Sequence, residues 1–106
     1  MKIPSNAEIP GEKLTHYLLV YRMRNDKAGF LALAGFTLRN ANVLEDAIRR
    51  QISDNEAIYD RQNEYGAFYE VAGKLHGPQG ALDVITIWLK PTGRDSYRFV
   101  TLKPAR

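Results

Sequence analysis

Leu82-Asp83-Val84-Ile85-Thr86-Ile87-Trp88-Leu89-Lys90 has no polar side. Leu82, Val84 and Trp88 fall on one face, and Ile85, Ile87 and Leu89 on the other. Successive strand residues point to opposite faces, so a strand apolar on both belongs in the middle of a sheet. Upstream lies Gly77-Pro78-Gln79-Gly80, a turn, because Pro presets φ and Gly accepts positive φ. Before that turn, Gly66–His76 places Ala67, Tyr69, Val71 and Leu75 on one face and Phe68, Glu70, Ala72, Lys74 and His76 on the other. Downstream, Pro91-Thr92-Gly93-Arg94-Asp95 turns into Ser96–Leu102, which alternates Tyr97, Phe99 and Thr101 with Arg98, Val100 and Leu102. Ala57–Gln62, joined through Asn63-Glu64-Tyr65-Gly66, completes a four-stranded antiparallel meander.

The texture changes near Asp54. Upstream of it, apolar residues recur at helical spacing. Pro4 and Pro10 make residues 1–10 an extended lead-in that Ile3 and Ile9 can anchor. Leu14, Tyr17 and Leu18 give the segment Gly11–Leu19 an apolar helical face. A second helix starts near Asn25 or Asp26, either of which suits an N-cap, and stops at Gly35. A third has Asn42 and Glu45 at capping-box spacing, with Asn40 as an alternative cap. Its stripe is Leu44, Ala47, Ile48, Gln51 and Ile52, apolar except at Gln51. Two to three helices followed by a meander predict one α+β domain over residues 1–106, with the helices on one face of the sheet.

Composition narrows the chemistry. The 106 residues contain no Cys, two His and a net charge of +3. Disulfides, thiolate metal sites and Cys nucleophiles are excluded, a compartment such as the cytoplasm is the expected setting, and no metal or other cofactor is expected. No apolar run approaches the ~20 residues of a membrane helix, and the first residues do not read as a secretory signal. Charge is divided along the chain as +3, −3 and +3 over residues 1–53, 54–76 and 77–106. Basic residues gather at Arg22, Arg24 and Lys27 and again at Lys90, Arg94, Arg98, Lys103 and Arg106. Helices packed over the last strands would bring the two groups together as a polyanion site; the alternative is a solvated, mixed-charge surface.

No phosphate-binding glycine loop, nucleophile elbow or metal-binding histidine spacing is present. The residues that remain suit metal-independent RNA cleavage, which needs an acid, a base and cations for the phosphate. His16 and His76 are candidates for acid and base. Lys27, in the first turn of its helix, and Arg22 and Arg24 are candidates for phosphate, with Lys74 and His76 as further phosphate or RNA contacts. Tyr65 and Tyr69 can stack on a base or offer hydroxyls. Arg98, opposite in sense to Tyr97 and Phe99, falls on the exposed face, near Lys74, His76 or Thr86. Trp88 is core.

Ile9-Pro10, Lys13-Leu14-Thr15, Tyr17-Leu18-Leu19, Asp26-Lys27-Ala28 and Gly35-Phe36-Thr37-Leu38 resemble an uncharacterised family of small bacterial proteins. So do Glu64-Tyr65-Gly66, Tyr69, Gly73, Leu75, Gly77-Pro78-Gln79-Gly80, Thr86-Ile87-Trp88 and Arg98-Phe99-Val100-Thr101. The resemblance implies an arrangement similar to toxin–antitoxin pairs, with a very small protein as partner. The order of elements also resembles the barnase and RelE type of ribonuclease toxin. That likeness implies RNA as substrate, catalytic roles for Lys27, Tyr65, Tyr69, Arg98 and Thr101, and a phosphate or RNA contact at Thr86. Between Leu19 and Asp26 the chain departs from the family, whose members carry a His-containing loop there. The expectation is a metal-independent endoribonuclease; its alternative is a non-catalytic protein-interaction module using the open sheet face or an edge strand.

Overall fold

The meander forms as its turns predict. The computed structural model describes residues 1–20 and 26–105. Strands β1 (Ala57–Asn63), β2 (Gly66–Gly77), β3 (Gly80–Pro91) and β4 (Arg98–Pro104) lie side by side in chain order, each antiparallel to the next. β3 is flanked by β2 and β4, as its two apolar faces require. Val71, Leu75, Val84, Trp88, Phe99 and Leu102 are buried on one face, beneath the helices. Trp88 meets Phe99 edge-on, with ring centroids 5.4 Å apart. Among the described residues, no helix covers the opposite face.

Helix α3 (Ala41–Asp54) lays Leu44, Ala47, Ile48, Gln51 and Ile52 against this core. Each fully buried Leu or Ile contributes about 1.5–3 kcal/mol. The N-cap is Asn40 and not Asn42, which sits inside the first turn. Asn40 uses its side chain backward: Oδ1 accepts from the Thr37 amide at 2.7 Å and Nδ2 donates to the Gly35 carbonyl at 2.9 Å. A single 3₁₀ turn, Leu38–Asn40, results. Gly35, with φ 91°, ends α2 (Lys27–Ala32) as expected. The first helical segment is α1 (Gly11–Lys13), which widens into a π-helical turn over Leu14–Leu18, closed by the Leu19 amide on the Leu14 carbonyl at 2.9 Å.

The lead-in crosses the sheet. The Met1 carbonyl accepts from the Ala57 amide at 2.6 Å, at the start of β1. Glu8 pairs with the opposite edge, donating to Tyr97 O and accepting from Phe99 N, both at 2.8 Å. Ile3 and Ile9 are buried, and Arg49 holds the strap by donating to the carbonyls of Ser5 and Ala7.

Two irregularities shift side chains between faces. Register slips between Tyr59 and Arg61 on β1, and opposite Ile87 and Trp88 on β4. On β4, Trp88 faces Phe99 while Ile87 faces Thr101, so Val100 is the extra residue of a bulge. Simple alternation grouped Thr101 with Phe99 and Leu102 with Arg98. The bulge reverses both: Leu102 is core and Thr101 joins Arg98 on the helix-free side.

One turn glycine is indispensable. Gly66 has φ 143°, and a Cβ there would run into the Lys90 carbonyl oxygen. Gly80 has a similar φ of 147° with open space beside it. Gly80→Ala therefore costs only the conformational strain, about 1–3 kcal/mol. Gly66→Ala costs more, because the β2–β3 ladder must also part. Urea denaturation of the two variants checks the order.

Candidate functional site at the β4 edge

Cations gather where α2 and the π-helical turn reach around the edge of β4. Lys27 is the first residue of α2, and its ammonium crosses to the helix-free side. It donates to Thr101 Oγ1 at 2.9 Å and to Tyr17 Oη at 3.4 Å, and lies 5.4 Å from the Tyr17 ring centroid. A groove of about 430 Å³ opens here, lined by Tyr17, Asp26, Lys27, Phe30, Lys103 and Pro104. Asp26 turns its carboxylate over Gly29, where a Cβ would collide with it. Two of the three donors of Lys27 thus end on neutral hydroxyls, and Lys103 adds a second positive charge to the groove wall.

The sequence reading missed Tyr17, placing it on an apolar face with Leu14 and Leu18. Those two are buried, but Tyr17 is exposed. The π turn supplies the reason. It adds a residue to the turn and rotates Tyr17 off the core side, a distortion that recurs at functional sites.

Arg98 occupies the helix-free side of β4, opposite Leu89. Its Nε is 3.8 Å from Glu8 Oε1, in a solvent-exposed pair. A second groove, about 390 Å³, brings Arg98 together with Tyr65, Lys13 and Phe68. The structure therefore joins Lys27 with Thr101 and Arg98 with Tyr65, and both pairs border β4.

Other candidates lie elsewhere. Lys74 pairs with Asp83 across the β2–β3 ladder at 2.9 Å. That exposed pair is worth at most about 1 kcal/mol. His76 is exposed beside the β2–β3 turn, and His16 is exposed on the π-helical turn. Tyr69 points to the helix-side face, between Tyr59 and Tyr97. Arg22, Arg24 and Arg106 lie outside the described residues. Thr86 requires a correction as a phosphate or RNA contact: it is fully buried under α3. Its hydroxyl donates to Gln51 Oε1 at 2.9 Å and accepts from Trp88 Nε1 at 2.9 Å.

A family model for DUF6883, a domain of unknown function, matches residues 2–106. The chain belongs to this family. No curated protein and no solved structure matches it. Within the described residues of this DUF6883 domain, no group of three His, Asp or Glu side chains is arranged to hold a metal ion, and no helix is long and apolar enough to cross a membrane.

The DUF6883 domain also places a shifted phenol on its helix side. Burial first, then the adjoining Tyr69 and the Asp95 carboxylate, push Tyr97 above the ordinary value of 10.0. The folded state thus keeps a proton that the unfolded chain releases near pH 10. Stability from this group is complete below that pH and is lost as pH rises through the folded value. Thermal midpoints should fall more steeply above pH 10 in the native chain than in Tyr97→Phe.

Proposed function

We propose that this DUF6883 domain is a metal-independent endoribonuclease of the toxin type, and that the β4 edge is its active site. The observation that carries the reading is the Lys27 ammonium held between the hydroxyls of Tyr17 and Thr101, inside an open groove. Cleavage of RNA by its own 2′-hydroxyl forms a bond from that oxygen to the adjacent phosphorus and breaks the bond to the 5′-oxygen. One proton leaves the attacking hydroxyl and one joins the departing oxygen. Lys27 meets the charge that builds on the non-bridging oxygens, with Lys103 and Arg98 as further cations along the same strand. Tyr17 donates the proton to the leaving oxygen, and water accepts the proton from the 2′-hydroxyl. Thr101 fixes Lys27. Tyr17 replaces Tyr65, Tyr69 and the histidines in the acid–base role, because it alone among them touches Lys27. A very small protein partner that holds the enzyme in check in the bacterial cytoplasm completes the proposal, on the resemblance described above.

A second reading is a non-catalytic interaction module. It is favoured by the helix-free face, where Ile58 is 69% exposed and Phe68, Ile85, Ile87, Leu89 and Val100 are only half-buried. One assay separates the two. Purified protein is incubated with total RNA in EDTA, and expression is induced in a bacterial host. Fragments ending in 2′,3′-cyclic phosphate, with growth arrest, are expected of the nuclease; intact RNA and normal growth leave the module.

A further inference from the structure

A different groove lies on the helix-side face, beyond the reach of the helices. Tyr59, Tyr69, Gln62 and Ala67 border it, and the β3–β4 turn forms a wall with Lys90 and Arg94. Its volume is about 580 Å³, within the range of small-molecule sites. Register explains the assembly. Tyr59 faces Tyr69 and Gln62 faces Ala67 across β1 and β2, and Ala67 faces Lys90 across β2 and β3, so all five side chains share one face.

The rings are braced. Tyr59 meets Tyr69 at 5.8 Å and 79°, and Tyr69 meets Tyr97 at 5.5 Å and 67°. Such edge-to-face contacts orient each ring before any ligand arrives. Tyr69 and Tyr97 are half-covered, but Tyr59 at the outer end is 54% exposed. An oriented, solvent-facing ring is a stacking platform. Beside it stand an amide that can both donate and accept, two cations, and one carboxylate, Asp95. Asp95 Oδ1 is 3.9 Å from Lys90 Nζ, a loose and exposed pairing. Two positive charges against one negative favour an anion over a neutral sugar. A planar platform favours a flat ring over an acidic peptide.

We infer that this groove binds a nucleoside phosphate, with the base on Tyr59, its edge on Gln62, and the phosphate between Lys90 and Arg94. The ligand is either a free nucleotide or one unit of a single strand. Binding here uses none of the β4-edge residues, so it stands or falls apart from cleavage.

The test uses a labelled 2′-O-methyl RNA octamer, which lacks the attacking hydroxyl, and uridine monophosphate as the free nucleotide. Fluorescence anisotropy reads the octamer, and NMR shifts read the nucleotide. Tyr59→Ala should weaken octamer binding about 5- to 140-fold, since stacking on one aromatic side chain commonly carries that much, while Tyr59→Phe should bind as the native chain does. Lys90→Ala should reduce the salt dependence of log K by about 0.7. Octamer binding without nucleotide shifts assigns the groove to strands, and shifts at Tyr59 and Gln62 with the nucleotide alone assign it to free nucleotides; either supports the inference. Absence of both, or Tyr59→Ala and Lys90→Ala binding as the native chain does, overturns it. Polyglutamate displacing the octamer equally well from the native chain and from Tyr59→Ala overturns it in favour of an acidic protein ligand.

Discussion

Thr86→Val should cost about 2–6 kcal/mol of stability, whereas Gln51→Leu, in the same network, should cost less than about 1.5 kcal/mol. The asymmetry follows from who can find another partner. Thr86 Oγ1 receives Trp88 Nε1–H and donates to Gln51 Oε1, while Gln51 Nε2 donates to the Val71 carbonyl at 2.8 Å. Valine keeps the shape but strands the indole N–H and the amide oxygen, both buried, at about 1–3 kcal/mol each. Leucine at 51 removes a donor and an acceptor together. The Thr86 hydroxyl then turns to the Val71 carbonyl, already 3.5 Å away, and still accepts from Trp88. Every group left behind keeps a partner. Urea denaturation followed by the fluorescence of Trp88 gives both values. Equal losses would show that the network does not relax in this way.

Lys27→Ala should lower RNA cleavage by about 10²–10³-fold, the usual effect of deleting a group that meets transition-state charge. Thr101→Val should lower it less, because Lys27 keeps its charge and its contact with Tyr17. Lys27→Arg should recover part of the loss, since it restores the charge but not the point donor that fits between two hydroxyls. The ammonium lies in an open groove and bonds to the hydroxyls of Tyr17 and Thr101, so thermal midpoints near the native value are expected of these variants. Rates are read from initial formation of cyclic-phosphate ends in EDTA. Undiminished cleavage by Lys27→Ala would remove the β4 edge as the active site.

Much of this arrangement was visible in the residues. Alternation in Gly66–His76 and Leu82–Lys90 set the faces of the two central strands, and Gly35 marked where α2 stops. The same alternation that buries Val84 and Trp88 buries Thr86, so reading Thr86 as an RNA contact ran against a signal already present. Gln51 in an apolar stripe was the matching sign, a polar pair of the core. The bulge at Val100 was not legible. One inserted residue leaves composition unchanged, and only pairing with Ile87 and Trp88 reveals it. The π turn was hidden for a similar reason: Leu14 and Leu18 satisfy an ordinary helical period, and the displaced residue is Tyr17 between them. Both hidden features act on the proposed site, one delivering Thr101 and the other Tyr17.

The strap that carries Glu8 across to Tyr97 and Phe99 has a consequence for the order of assembly. Its partners on β4 are made long after it, so during synthesis Met1, Ser5 and Ala7 can settle on Ala57 and Arg49 while the Glu8 end waits until β4 has left the ribosome. The Glu8 end stays loose over that interval, and the β hairpins form beneath an uncovered Tyr97 and Phe99. Closing so long a loop is slow compared with pairing neighbouring strands. The strap should therefore lock last, and hydrogen exchange during refolding should protect the Glu8 and Phe99 amides after those of β2 and β3.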